Sequence, residues 1–166
     1  MATDKTRFVD PPNLLRRKTG GGPAGGGTID DTALLAAQAV ISAQAGDYPE
    51  RAAKDIAALA EEHAKAVRDP TIRAEQIARI GMVVHDIRSE GSTFGYPLIT
   101  KVGTSLYDFC QYAQASDAQI EVIGAHIDAL RVIIGQKIEG DGGEIGAELL
   151  NMLRLASNKF QATIHK

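Results

Sequence analysis

Tryptophan is absent, tyrosine and phenylalanine occur four times each, and cysteine occurs once in 166 residues. The poverty in aromatics argues against a β-sandwich. The apolar content comes instead from alanine, isoleucine and leucine, a mix that favours helices. A single cysteine, Cys110, excludes an internal disulfide or a cysteine metal cluster and suits a reducing cytoplasm. It falls in an apolar-periodic stretch and reads as packing. No apolar run approaches the roughly 18 residues of a membrane helix. Met1–Asp10 lacks an apolar h-region, so a cytoplasmic location is expected. With a net charge of -3, nucleic acid is not the expected partner. No histidine pair has the His-Glu-x-x-His spacing, so no metal site is expected. No glycine box follows a strand, so the chain is not itself a kinase, and neither an enzymatic activity nor a bound cofactor is expected.

Composition divides the chain in two. Residues 1–28 hold Pro11-Pro12 and a Gly-rich run from Thr19 to Gly27. They read as a flexible, locally basic tail. Lys18-Thr19 precedes its glycines, the reverse of a P-loop. Residues 29–166 read as a single helical domain. Helices are expected over about 28–45, 49–67, 70–91, 97–115, 117–136 and 144–164. Gly46-Asp47, Asp69-Pro70, Gly95 with Pro97, and Gly140–Gly143 are the expected breaks. In the second helix Ala53, Ile56, Ala57, Leu59 and Ala60 form the expected buried side, and in the last Ile145, Leu149, Leu150, Met152, Leu153 and Leu155 do so. Asp117 is the expected cap of the fifth. No stretch alternates with period two for long enough to suggest a sheet. Short links between long helices imply an all-α, antiparallel up-and-down four-helix bundle with additional helices.

The informative stretch is His85-Asp86-Ile87-Arg88-Ser89-Glu90-Gly91-Ser92-Thr93-Phe94-Gly95-Tyr96-Pro97. On a wheel at about 100° per residue, Ile77, Ile80, Val84 and Ile87 share one apolar arc. His85 lies roughly 120° from its centre, so its ring is expected at the surface. Gly81 and Ser89, four residues to either side, are small and leave room for a tetrahedral phosphoryl group. Arg88 is placed to neutralise phosphoryl oxygens by charge-assisted hydrogen bonds. Met82 supplies a soft apolar docking contact. Neutral imidazole is a good nucleophile near pH 7, and its N-phosphorylated form is high enough in energy to pass the group on. The other histidines carry less. His63 reads as solvated, His126 as approaching the bundle surface, and His165 lies one residue from the C-terminus.

His85, Arg88 three residues on, small Ser89 at four, and Phe94-Gly95 at nine and ten form a pattern. It resembles the histidine-containing phosphotransfer (HPt) domains of two-component relays, closest to those of chemotaxis histidine kinases. The strong match covers about residues 77–98. The resemblance implies a four-helix bundle with a phosphorylated histidine in mid-helix. It also implies exchange with response-regulator receiver aspartates or a histidine kinase, with magnesium supplied by the receiver. Gly81, Met82, Ser89 and Ser92 would contact that partner. Two positions depart from the family. Its usual glycine at plus four is Ser89 here, whose hydroxyl is free to turn back to the helix backbone. Where chemotaxis-type domains place a ring-orienting carboxylate on the next helix, this chain has Tyr107 with Asp108 adjacent.

Two functions follow as expectations. One is a phosphorelay carrier acting in trans, since the chain has neither a kinase nor a receiver pattern. The other is a helical adaptor that binds signalling partners or dimerises without carrying phosphate.

Overall fold

The computed structural model describes residues 30–112 and 114–164. The tail expected over residues 1–28, and His165, lie outside them. Among the described residues the fold is all-α with no strand. The helices are α1 (Asp31–Arg68), α2 (Arg73–Glu90), α3 (Pro97–Cys110), α4 (Asp117–Gly135) and α5 (Gly143–Ile164), with a 3₁₀ turn at Pro70–Ile72. The chain falls into two units, Met1–Val40 and Ile41–Lys166. In the first, Asp30 opens α1 by accepting from the Thr32 N–H at 3.1 Å and hydroxyl at 2.6 Å. Leu34, Leu35 and Val40 stand exposed there.

The expected break at Gly46-Asp47 does not occur. The first two expected helices are one, and Pro49 lies inside it. Pro49 deprives the Ala45 carbonyl of its helical donor. Burial around it offsets that cost. Tyr48 is buried, its ring 5.1 Å from Phe94 and 5.4 Å from Tyr96. Further along α1, Ala52, Ile56, Leu59 and Ala66 are buried. Ala53 and Ala57, expected inside, are exposed. They lie to one side of the Ala52–Ile56–Leu59 stripe that faces the neighbouring helices.

Contacts within the second unit run in opposite directions from each helix to the next. Arg51 of α1 pairs with Glu90 at the end of α2 at 3.3 Å, and Arg73 at its start donates to the Ala66 carbonyl at 2.9 Å. Gly81 and Arg88 of α2 face Cys110 and Gly103 of α3. Ser105 of α3 bonds His126 of α4. Helix α5 packs on both α3 and α4. The predicted arc of α2 is borne out, with Ile77, Ile80, Val84 and Ile87 all buried. Each such side chain contributes about 1.5–3 kcal/mol on leaving water.

Helix α3 ends five residues before its expected limit because another residue terminates it. Gln119, fully buried, sends its amide back to the Tyr112 carbonyl at 2.7 Å and accepts from the Ala115 N–H at 2.8 Å. Ser116, not Asp117, caps α4 by accepting from the Gln119 N–H at 3.3 Å. Asp117 instead pairs with Arg73 at 2.6 Å. Among the described large apolar side chains of α5, Leu153 and Phe160 are buried, while Ile145, Met152 and Leu155 of the expected apolar set are exposed. That set spreads too widely around the helix for one packed face to cover it.

His126 is fully buried, contrary to its expected place near the surface. The reason is that α4 is covered by α3 and α5, and both ring nitrogens find partners there. Nδ1–H donates to the Val122 carbonyl at 2.8 Å, and Nε2 lies 3.0 Å from the Ser105 hydroxyl. Burial holds its pKa below the usual imidazole value, outweighing the Val122 bond. The unfolded chain takes up this proton near pH 6.5, whereas the folded chain needs stronger acid. Its stabilising contribution is therefore complete above about pH 6.5 and is lost as the pH falls below it. Melting temperature should drop between pH 7.5 and 5.5, and His126→Gln should flatten that drop. A profile unchanged by the substitution would refute the assignment.

Candidate functional site

His85 sits five residues before the end of α2 and is exposed, as its wheel position predicts. It stands on the rim of a groove of about 630 Å³ between α2 and α3. Ala78, Gly81 and Met82 line it from α2, with Tyr107 and Cys110 from α3 and Gln111 just beyond. Two buried α2 residues hold this helix in place beside the groove. Val84 and Ile87 anchor the helix in the core on either side of His85. Gly81 then brings α2 close to α3, and a Cβ built there would lie 3.6 Å from Cys110 Cβ. Gly81 is thus buried against α3 and does not stand open beside the imidazole.

The Arg88 guanidinium reaches back along α2, placing Nη2 3.2 Å from His85 Nδ1. It also lies over the Tyr107 ring, 4.1 Å from the centroid. The rings of His85 and Tyr107 are 5.6 Å apart. Arg88 and Tyr107 are both partly buried, so the cation is only partly hydrated. Of the two residues at the family's ring-orienting offset, Tyr107 comes to the imidazole. Asp108 is exposed and does not line the groove.

The remaining expected site residues scatter. Met82 is exposed at the groove. Ser89 turns its hydroxyl back to the Asp86 carbonyl at 2.7 Å. It lines a second depression of about 420 Å³ with Arg51, Lys54, Asp55, Asp86 and Glu90. There the Asp55 pKa is raised, first by desolvation and then by Glu90 and Asp86. Ser92 belongs to the α2–α3 turn, where its N–H and hydroxyl meet Thr100 Oγ1 at 2.9 and 3.0 Å. Phe94 and Gly95 close the same turn. Phe94 stacks on Tyr48 of α1, with Arg51 5.3 Å above its ring, and Gly95 takes φ +88°. Phe94 thus anchors the turn after α2 to α1, and Gly95 supplies the positive φ that the turn needs.

Gly103 was not singled out from the sequence. A Cβ there would come within 2.9 Å of Arg88 Cβ, so this glycine lets α3 pass directly beneath the arginine. The available signal was a glycine inside a predicted helix, one helical turn from the apolar Ile99 and Leu106 on either side. His63, read as solvated, is half-buried, because α4 runs beside it. Its Nε2–H donates to the Ile120 carbonyl at 2.9 Å, and its ring fills the space that the missing side chain of Gly124 leaves. Burial pushes the Cys110 thiol up to about 12, leaving it protonated and unreactive near neutrality.

Among the described residues no group of three or more His, Cys, Asp or Glu side chains is placed to hold a metal ion. No helix among them is long and apolar enough to cross a membrane. The arrangement offers one exposed imidazole, one adjacent permanent cation and an apolar groove beside them. No family model matches this chain, and neither does any curated protein or solved structure.

Proposed function

We propose that this protein is a histidine phosphotransfer carrier of a two-component phosphorelay. His85 takes a phosphoryl group from a receiver aspartate or a histidine kinase and gives it to another receiver. The observation that carries the reading is the exposed His85 imidazole with Arg88 3.2 Å from it on the rim of a groove. An imidazole serving only the packing would be buried and bonded on both nitrogens, as His126 is. The antiparallel course of α1 to α4 fits the four-helix bundle on which such histidines stand.

The transfer balances simply. A ring-nitrogen lone pair forms an N–P bond to the acyl phosphate of the donor. The P–O bond to the aspartyl carbonyl carbon's oxygen breaks, and the aspartate leaves as a carboxylate. The other ring nitrogen keeps its proton. Such transfer needs positioning and charge neutralisation above all, and Arg88 contributes a cation. Magnesium would come with the receiver. Met82 and the groove behind it provide the apolar contact for the docking partner.

The test is incubation with a phosphorylated receiver and magnesium. Acid-labile, base-stable label should appear on the chain and then pass to a second, unphosphorylated receiver. Absence of label with receivers from every relay of the source organism would overturn the proposal. The second reading, an adaptor that carries no phosphate, draws on the exposed Leu34, Leu35 and Val40 of α1. It requires that partner binding and biological output survive the loss of His85.

A further inference from the structure

Three side chains meet in a row at the α2–α3 seam. Arg88 lies on the face of Tyr107 at 4.1 Å and points Nη2 at His85 Nδ1 from 3.2 Å. A guanidinium has donors and no acceptor. Nδ1 is therefore the acceptor, its lone pair is engaged, and the proton of neutral His85 sits on Nε2. One nitrogen is covered and the other protonated, so neither offers a free lone pair in this arrangement.

We infer that Arg88, held on the ring of Tyr107, is a cap on His85 that an anionic phosphoryl group removes by drawing the guanidinium onto its own oxygens. Tyr107 is a positioning residue that acts through Arg88. The cap follows from the geometry, while its removal by phosphoryl groups rests on the carrier reading proposed above.

The physical basis is a difference in bond strength. A planar guanidinium stacks on an aromatic face and donates one hydrogen bond to a neutral imidazole. Against a phosphoryl group it forms charge-assisted, two-pronged hydrogen bonds, which are markedly stronger. An anionic donor therefore competes for the cation, and an uncharged electrophile does not. Once Arg88 has moved, Nδ1 is free to attack. Nε2 is equally free once Nδ1 gains a proton from water and Nε2 releases its own. In either case the N–P bond forms as the donor's P–O or P–N bond breaks, the leaving group takes the electron pair, and nothing is oxidised or reduced. The arrangement would keep the histidine from reacting with adventitious neutral electrophiles while leaving it open to phosphoryl donors. It also supplies a reason for an aromatic residue on α3 facing His85, where chemotaxis-type domains carry a carboxylate.

Two reagents acting on the full chain separate these effects. Diethylpyrocarbonate is an uncharged acylating reagent, and phosphoramidate is a small anionic phosphoryl donor. Modification is read at each histidine by peptide mass mapping. His126, sealed in the core, reports that each variant is folded by staying unmodified. Arg88→Met should speed acylation of His85 about tenfold, the effect of freeing one hydrogen-bonded lone pair, yet slow its phosphorylation by phosphoramidate. Tyr107→Leu should speed acylation in the same way, and Tyr107→Phe, which keeps the ring, should match the wild type. Unchanged acylation in both Arg88→Met and Tyr107→Leu would overturn the cap, and equal acceleration in Tyr107→Phe would overturn the role of the ring. If acylation responds as expected but phosphoramidate never phosphorylates His85, the cap stands. Release of the cap by phosphoryl groups then falls, while the carrier reading stands or falls on label transfer from a phosphorylated receiver.

Discussion

Replacing His85 by glutamine should abolish phosphoryl acceptance, lowering the rate of acid-labile labelling by at least about a hundredfold. Glutamine approximates the size of histidine but offers an amide, whose nitrogen lone pair is delocalised into the carbonyl. No comparable nucleophile stands beside it. Arg88 is a donor only, the Tyr107 ring lies against the guanidinium, and the Cys110 thiol is protonated near neutrality. The fold should hardly notice, because His85 is exposed and its one side-chain hydrogen bond is to Arg88. A surface change of this kind shifts stability by no more than about 0.5 kcal/mol. Labelling by a phosphorylated receiver, followed by thermal melting of the same sample, separates chemistry from folding. Label persisting at wild-type rate in a normally folded His85→Gln protein would place the acceptor elsewhere.

Gly103→Ala should destabilise the protein by about 2 kcal/mol, although alanine is the better helix former. The new Cβ would sit 2.9 Å from Arg88 Cβ and 3.3 Å from its Cα. Those atoms belong to or adjoin the backbone, so no side-chain rotation relieves the overlap. Helices α2 and α3 must move apart. The overpacking cost of up to about 3 kcal/mol outweighs the roughly 1 kcal/mol that alanine gains over glycine within a helix. For a chain of this size the melting temperature should fall by about 6 °C. Gly81→Ala provides the opposite sign on the same seam. Its Cβ would meet Cys110 Cβ at 3.6 Å, an ordinary contact, so the helix gain of up to about 1 kcal/mol should survive. Melting curves of the two variants should therefore move in opposite directions. Because the Gly103 overlap falls on Arg88 itself, Gly103→Ala should also slow labelling of His85, whereas a purely global loss of stability would leave the rate in the folded fraction intact.

Helix number and placement from α2 onward were legible because the apolar spacing there is strong and the punctuation is real. Asp69 caps the turn at Pro70 through Thr71, at 2.9 Å to its N–H and 2.6 Å to its hydroxyl. Gly95 takes the positive φ that its place in the turn demands. Gly46-Asp47 misled for a definite reason. Glycine and proline carry local costs of about 1 and 3 kcal/mol, and burial of one tyrosine between two aromatic rings supplied by a distant turn is of the same order. That turn is invisible from residues 46–49. His126 was expected near the surface for a related reason. A helix apolar over most of its circumference does not say which neighbour covers which side, and His126 and Ser105 become partners only when α3 is laid beside it.

By itself the sequence determined the all-α class, the apolar arc of α2 and the outward azimuth of His85. Each follows from the 3.6-residue period and the residues within one helix. It also placed Arg88 near the imidazole, since a separation of three residues brings side chains together on any helix. Only the tertiary structure decided what that arginine does. Gly103 sets the distance between two helices, and that distance brings the Tyr107 ring under the guanidinium and holds it toward Nδ1. Side-chain neighbours across a helix seam depend on crossing geometry and close approach, and neither is encoded in the periodicity of one strand of sequence.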